Sequence, residues 1–372
     1  MNPFNYDSIA QGDNFYDRIE ETQQLVNTLS GGNNVVLFAP RRYGKTSLVF
    51  KAMDILQQEG IECVYFDLMP VYSLEAFVTL FLKSLARHQT ALERFMQMVA
   101  QLKNIRPKLT IDEFGKPSFG IEFVAPNVTI DMVEDVIDLP NKMAENGHRI
   151  VVVMDEFQEI RKFDKFNLEA LLRSKIQQHQ YANYLFLGSK THIMQDMFMV
   201  KNRPFYNSAK VMQISTLPEK ETIHFLTERL TQNNIQINQD TCQFIIARAE
   251  NIPYYIQLIA AEIWQHLMPA GGLATEQIVK ECFVRVLNLK KDYYFELFDK
   301  LSNTQKKLLI SIAESGKNIY SSNYIVANRL VGASSVQKAV LTLMEMGILE
   351  RTEDTYYIAD PFFHYYVVHY TN

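Results

Sequence analysis

Residues 35–50 read Val35-Val36-Leu37-Phe38-Ala39-Pro40-Arg41-Arg42-Tyr43-Gly44-Lys45-Thr46-Ser47-Leu48-Val49-Phe50. The first four residues are apolar without alternation, which predicts a strand covered on both faces, as in a parallel sheet. A loop follows from Ala39 to Gly44, and Lys45-Thr46-Ser47 opens a helix. Backbone N–H groups at such a loop and helix start converge on an anion, and the helix dipole adds to the attraction. Lys45 then reaches the β- and γ-phosphates of a nucleotide, while the Thr46 hydroxyl ligates Mg²⁺. Ala39, Pro40, Arg41, Arg42, Tyr43, Gly44, Lys45, Thr46 and Ser47 are therefore the candidate phosphate cradle. The general pattern is G-x-x-x-x-G-K-[ST]; Ala39 stands at its first glycine, the mildest replacement available. Arg41 and Arg42 have two readings: contacts to phosphate oxygens, or solvated loop charges paired with nearby carboxylates.

A second stretch completes the chemistry. His148 to Ile160, HRIVVVMDEFQEI, is a β-branched strand ending in Asp155-Glu156. We expect this strand beside the phosphate-loop strand, with Asp155 holding Mg²⁺ through water. Glu156 would polarise the water that attacks the γ-phosphate. Tyr184 to Leu187 form a further strand, followed by Gly188-Ser189-Lys190. Ser189 either orients the attacking water or caps a helix beginning near Thr191. The catalytic candidates are thus Lys45, Glu156 and Ser189, the metal ligands Thr46 and Asp155, and the cofactors ATP and Mg²⁺.

The rest of the chain is organised around these pieces. Its 372 residues suggest two or three domains. With 47% hydrophobic and 21% charged residues it can build a real core. Its 37 Lys+Arg against 42 Asp+Glu, a net charge of −5, argue against a surface built to coat nucleic acid or anionic lipid. No run approaches the ~20 apolar residues of a bilayer span. Cys63, Cys242 and Cys282 have no paired spacing, which fits a reducing compartment and a cytoplasmic protein. None of the eight His falls in a metal-ligand spacing.

Residues 1–216 alternate strands (Val35–Phe38, Glu62–Phe66, Ile150–Met154, Tyr184–Leu187, Val211–Ile214) with helical patterns, predicting an α/β core. Within it, residues 104–126 suggest an inserted β-hairpin turning at Gly115-Lys116-Pro117. Residues 217–294 change to a 3.6-residue period with no strands, predicting a helical lid. Residues 295–372 show three short helical patterns, then a β-ribbon of Gly347 to Glu350 and Thr355 to Ile358, predicting a winged helix. The aromatic clusters Tyr293-Tyr294-Phe295 and Phe362-Phe363-His364-Tyr365-Tyr366 read as core rather than as stacking platforms for bases.

With these residues quoted, the chain resembles the STAND-type ATPases and origin-recognition initiators of the AAA+ group. Phe15, Tyr16, Arg18 and Glu21 are similar to the "F-x-G-R-x-x-E" box, with Asp17 replacing its Gly; the resemblance implies that this box lies against adenine. Ala39 to Leu48 resembles "G-P-R-R-x-G-K-T-S-L", and Gly188-Ser189 resembles the "GS" strand end. Asn251-Ile252-Pro253-Tyr254-Tyr255 resembles the lid "G-x-P-x-Y", with Asn251 replacing Gly, and the resemblance implies Pro253 near the base. Asp360-Pro361-Phe362-Phe363 resembles the "D-P-F" that ends the winged helix. Two departures stand out: Pro204-Phe205-Tyr206-Asn207-Ser208 lacks the arginine of "P-L-Y-G-R", leaving Arg203 as a substitute, and the lid shows no second sensor arginine.

The expectation is therefore an α/β P-loop core, a helical lid and a winged helix that bind Mg-ATP, hydrolyse it, and couple nucleotide state to lid and winged-helix position. The implied partner is a protein, with a homo-oligomer also open. The alternative is a DNA-associated ATPase using the winged helix on duplex DNA. Charge weighs against it: residues 301–372 hold six Lys or Arg against six Asp or Glu, whereas DNA affinity draws on several cations neutralising phosphates.

Overall fold

The structure is a computed structural model that describes residues 2–9, 15–87, 92–111, 115, 117–124, 127–145, 148–268, 270–352 and 354–371. Lys116 of the predicted turn and Glu353 of the predicted wing lie outside these residues. The chain forms two compact units: residues 19–39 with 48–214, and residues 1–18 with 40–47 and 215–372.

The first unit holds the α/β core. Its strands are β1 (Val35–Phe38), β2 (Glu62–Asp67), β3 (Ile105–Ile111), β4 (Pro117–Phe123), β5 (Ile150–Asp155), β6 (Ala182–Gly188) and β7 (Lys210–Gln213). Five of them make one sheet in the order β2-β5-β6-β1-β7, with every pair parallel. β1, β5 and β6 are buried along their whole length, which is why their sequences lack alternation. β7, at the sheet edge, buries only Met212 fully. One expectation is corrected here. The Asp155 strand is not beside the phosphate-loop strand, because β6 lies between them. Apolar strands look alike in sequence, so their order in the sheet was not legible from patterning.

On the sheet's faces pack helices whose apolar stripes close the core. Phe77, Phe81 and Leu85 of Leu74–Arg87, Val133 and Val136 of Ile130–Ile137, and Leu168 and Leu172 of Leu168–Ile176 are fully buried. Phe157, Phe186, Phe198 and Phe205 form one aromatic knot, with ring centroids 4.5–5.8 Å apart. Truncating any of them to alanine would cost about 3–5 kcal/mol. The predicted hairpin is present as an antiparallel pair of β3 and β4.

The second unit contains the helical segment and the winged helix. Helices Glu219–Thr231, Gln239–Arg248, Pro253–Leu267 and Glu276–Asp299 dominate the former. The expectation that strands vanish there is also corrected: β8 (Ile235–Ile237) and β9 (Gly272–Ala274) form a small parallel pair. Three residues each are too short to leave a period-2 signature. The winged helix comprises helices Asn303–Glu314, Ser322–Ala327 and Ala333–Glu345, an antiparallel ribbon of β10 (Leu349–Thr352) and β11 (Thr355–Ile358), and a closing helix Pro361–Tyr370. Ser302 and Gln305 start its first helix with a reciprocal capping box. Of the aromatic clusters, Tyr294, Phe362, Phe363 and Tyr366 are core, but Tyr293 and Phe295 are 63% and 61% exposed. Consecutive residues of a helix cannot all face one core. Among the described residues, no helix is long and apolar enough to cross a membrane.

Candidate functional site

In the α/β unit, parallel pairing brings the ends of three strands to one edge. Phe38 of β1 registers with Gly188 of β6, and Met154 of β5 with Phe186 of β6. Asp155 ends β5 and is 5% exposed. Both of its carboxylate oxygens are held: the Tyr65 hydroxyl donates to Oδ2 at 2.7 Å, and the Glu156 N–H donates to Oδ1 at 2.8 Å. Burial, followed by the Asp155 charge, pushes the Tyr65 hydroxyl well above its ordinary pKa, so Tyr65 stays a donor. Tyr65 reaches Asp155 because β2 pairs directly with β5, with Tyr65 level with Val153.

Glu156 follows with φ +51°, the left-handed region that side chains rarely occupy. Such backbone persists where the surroundings over-determine it, and it clusters at functional sites. The Ser189 hydroxyl donates to Glu156 Oε2 at 2.7 Å, and the Gln158 amide donates to the same oxygen. Of the two readings of Ser189, the helix cap is not realised: the cap position of Thr191–Met199 is Lys190. Ser189 is buried and aimed at Glu156 instead. Arg203, the substitute for the missing family arginine, lies 3.1 Å from Asp196 and 3.4 Å from Glu169. Ser208 donates back to the Phe205 carbonyl.

In the other unit lies the phosphate loop. Gly44 has φ +79° and open space where a Cβ would stand, so glycine is needed there for backbone conformation. Arg42, two residues earlier, also has positive φ, +72°. Left-handed residues in such a loop are a feature of the backbone nests that bind anions. Lys45, 7% exposed, opens the 14-residue helix Lys45–Gln58, which has no acidic residue in its first turn. Thr46 and Ser47 are half-buried beside it, and Arg41 is exposed. In the α/β unit, Ala39, the replacement for the first glycine, directly follows β1, and its N–H donates to the Gly188 carbonyl at 3.4 Å.

The loop is braced by its own unit. Arg18 is 3% exposed and donates to the Ser215 and Tyr43 carbonyls, at 2.6 and 3.4 Å. The Arg42 guanidinium lies 3.0 Å from Asp360. Tyr16 stacks on Phe225, centroids 3.8 Å apart, while Phe15 is half-buried. Pro253 is buried as the first residue of Pro253–Leu267. Two of the family-pattern glycines that this chain lacks now have a physical account. Asp17 has φ +60° and Asn251 φ +54°, and Asp and Asn are the side chains that best tolerate that region. Sequence reasoning missed Tyr65, Gln158 and Asp360 as holders of Asp155, Glu156 and Arg42. The only advance signal was the position of Gln158, two residues after Glu156.

Comparison with known proteins fits this geometry. No curated protein matches the chain. Among solved structures, a Walker-type ATPase of Pyrococcus abyssi superposes with TM-score 0.67 at 16% identity, over 98% of this chain and 99% of that one. The ORC2 protein of Aeropyrum pernix, solved in ADPNP–ADP complexes, superposes with TM-score 0.51 at 14% identity, over 95% and 92% of the two chains. At such identities these likenesses speak for the fold. Residues 292–369 match the model of a probable winged helix domain. Residues 15–266 match the model described as an ATPase domain predominantly from Archaea, and the chain belongs to that family.

Proposed function

We propose that this protein is a Mg-ATP-dependent switch: it binds ATP on the loop from Ala39 to Ser47, hydrolyses it, and transmits nucleotide state to its lid and winged helix. The loop fits a polyphosphate, with two left-handed residues and with Lys45 at the start of a helix without acidic first-turn residues. Thr46 and Asp155 would hold Mg²⁺, which when bound neutralises charge developing on the phosphates. Lys45 acts as the phosphate point charge. Glu156, oriented by Ser189 and Gln158, accepts a proton from the attacking water.

One observation carries the switch reading. Residues 40–47 of the phosphate loop belong to the same compact unit as the lid and winged helix, and the lid's Tyr254 N–H donates to the Arg42 carbonyl at 3.4 Å. A ligand that alters the loop therefore changes contacts with both elements, which is how differential binding shifts a population. We place the protein in the cytoplasm, because its three cysteines are buried as free thiols.

The test is Lys45→Ala. Calorimetry should show at least a hundredfold loss of ATP affinity with the circular dichroism spectrum unchanged; unchanged affinity would remove the phosphate-loop assignment. The partner on this reading is a protein. Ala333–Glu345 carries one exposed cation, Lys338, against one exposed carboxylate, Glu345, and Arg351 is paired with Asp354 at 3.0 Å. Tight duplex-DNA binding by the full chain at physiological salt would favour the DNA-associated alternative.

A further inference from the structure

We propose that Asp360 of the winged helix is a positioning residue of the phosphate loop, acting through Arg42, so that the C-terminal domain sets the shape of the loop on which ATP binds. The inference rests on the nucleotide-binding reading above.

Five contacts converge on Arg42. Its carbonyl accepts from Tyr254 N–H, its guanidinium pairs with Asp360 at 3.0 Å, and the Tyr255 hydroxyl accepts from it as well. The same guanidinium carbon sits 4.9 Å from the Tyr254 ring centre and 5.0 Å from that of Tyr255. Those two rings stand at 85° to each other and wall the arginine on two sides. An isolated surface ion pair contributes little. This one is different because it holds a residue whose backbone is itself unfavourable, φ +72° with a full side chain. Without over-determination that conformation would relax, and the loop's N–H groups would move with it.

Asp360 is built for two tasks. Oδ1 accepts from the Phe362 and Phe363 N–H groups at 2.9 and 3.3 Å, capping the helix Pro361–Tyr370. Oδ2 accepts from Arg42 at 3.0 Å and from the Tyr294 hydroxyl at 3.2 Å. The cap fixes the carboxylate to the winged helix, and the other oxygen carries that position to the loop 318 residues earlier. A loop held in its binding shape before ligand arrives binds more tightly, because less ordering remains to be done.

The test separates the two tasks of Asp360. Asp360→Asn keeps a capping oxygen, since Asn caps as well as Asp, and removes the charge from Arg42. Hydrogen exchange of the nucleotide-free full chain should show faster exchange at the amides of residues 41–44, with Pro361–Tyr370 protected as in the parent. ATP affinity should fall about tenfold. Arg42→Ala should weaken ATP to a similar extent, and adding Asp360→Asn to Arg42→Ala should cost nothing more. His364→Gln, which loosens the winged helix without touching Arg42, should leave ATP affinity unchanged. Unchanged loop exchange in Asp360→Asn, multiplicative effects in the double variant, or an equal loss in His364→Gln would each overturn the proposal. If the parent binds no ATP yet Asp360→Asn still quickens loop exchange, the positioning role stands and the nucleotide reading falls.

Discussion

Two non-glycine residues of the candidate site with left-handed backbone, Glu156 and Arg42, are held in opposite ways. Glu156 is fixed by Gln158, two residues on, and by Ser189 at the end of the neighbouring strand β6. Its surroundings are the buried sheet, whose close packing leaves no second arrangement at small cost. Arg42 is fixed by Tyr254, Tyr255 and Asp360, which come from the lid and the winged helix. Its support consists of a partly exposed ion pair and ring contacts, which a single substitution can release. On the proposed reading, the carboxylates are held rigidly by the sheet and the loop by contacts that a substitution can loosen, a division that would suit a nucleotide-driven switch.

The largest effect expected from breaking the rigid half is on turnover. Glu156→Gln keeps the shape and still accepts from Ser189, but its amide cannot take a proton from water. ATP affinity should stay within a few-fold of the parent while turnover falls roughly a hundredfold or more, within the usual contribution of a general base. A phosphate-release assay checks it, and turnover within a few-fold of the parent would return the role of base to Asp155 or Ser189.

Much of this division was legible in the sequence, and the illegible part has a physical pattern. Lys45, Asp155, Glu156 and Ser189 are announced by strand–loop contexts, because a buried parallel strand leaves an unbroken apolar run and its end is marked by the first polar residue. The hairpin of β3 and β4 was announced by Gly115 and Pro117. What could not be read are the holders. Tyr65 serves Asp155 through the register of β2 on β5, and Asp360 serves Arg42 across 318 residues. Register and long-range pairing leave no periodic trace. Asp17 and Asn251 look like lost glycines in a motif, but both adopt left-handed backbone, a conformation that Asp and Asn tolerate well.

A subtler break in the rigid half comes from Tyr65→Phe. It removes the donor to Asp155 Oδ2 and leaves the ring in place. Losing one such hydrogen bond should destabilise the fold by about 1 kcal/mol. If the hydroxyl also orients the carboxylate, half-saturating Mg²⁺ for turnover should rise several-fold while metal-free nucleotide affinity is unchanged. An unaltered Mg²⁺ titration would reduce Tyr65 to a packing role.

The smallest effect sharpens the adjustable half, through the contact of His364 with the lid. His364 Nδ1 lies 2.8 Å from Glu250 Oε1, and Nε2 lies 3.2 Å from the Ala313 carbonyl. Both neighbours are acceptors, so only the doubly protonated ring donates to each. The hydrogen bond to Glu250 raises the His364 pKa above its ordinary value, against the opposing pull of burial; the Glu250 charge and the Ala313 carbonyl add to the rise. The sign follows from linkage. A folded-state pKa above the unfolded value of about 6.5 means stabilisation that is complete below that pH and is lost as pH rises through the folded value. The side chain is 35% exposed, so solvent screening holds the contribution to about 1 kcal/mol or less. Thermal melts of the full chain and of His364→Gln should therefore differ most near pH 5.5 and converge above pH 8, within the few degrees that about 1 kcal/mol moves a midpoint. A gap that widens as pH rises would mean that the ring is neutral in the fold, and that the winged helix is held to the lid by apolar packing around Phe283 and Phe362 instead.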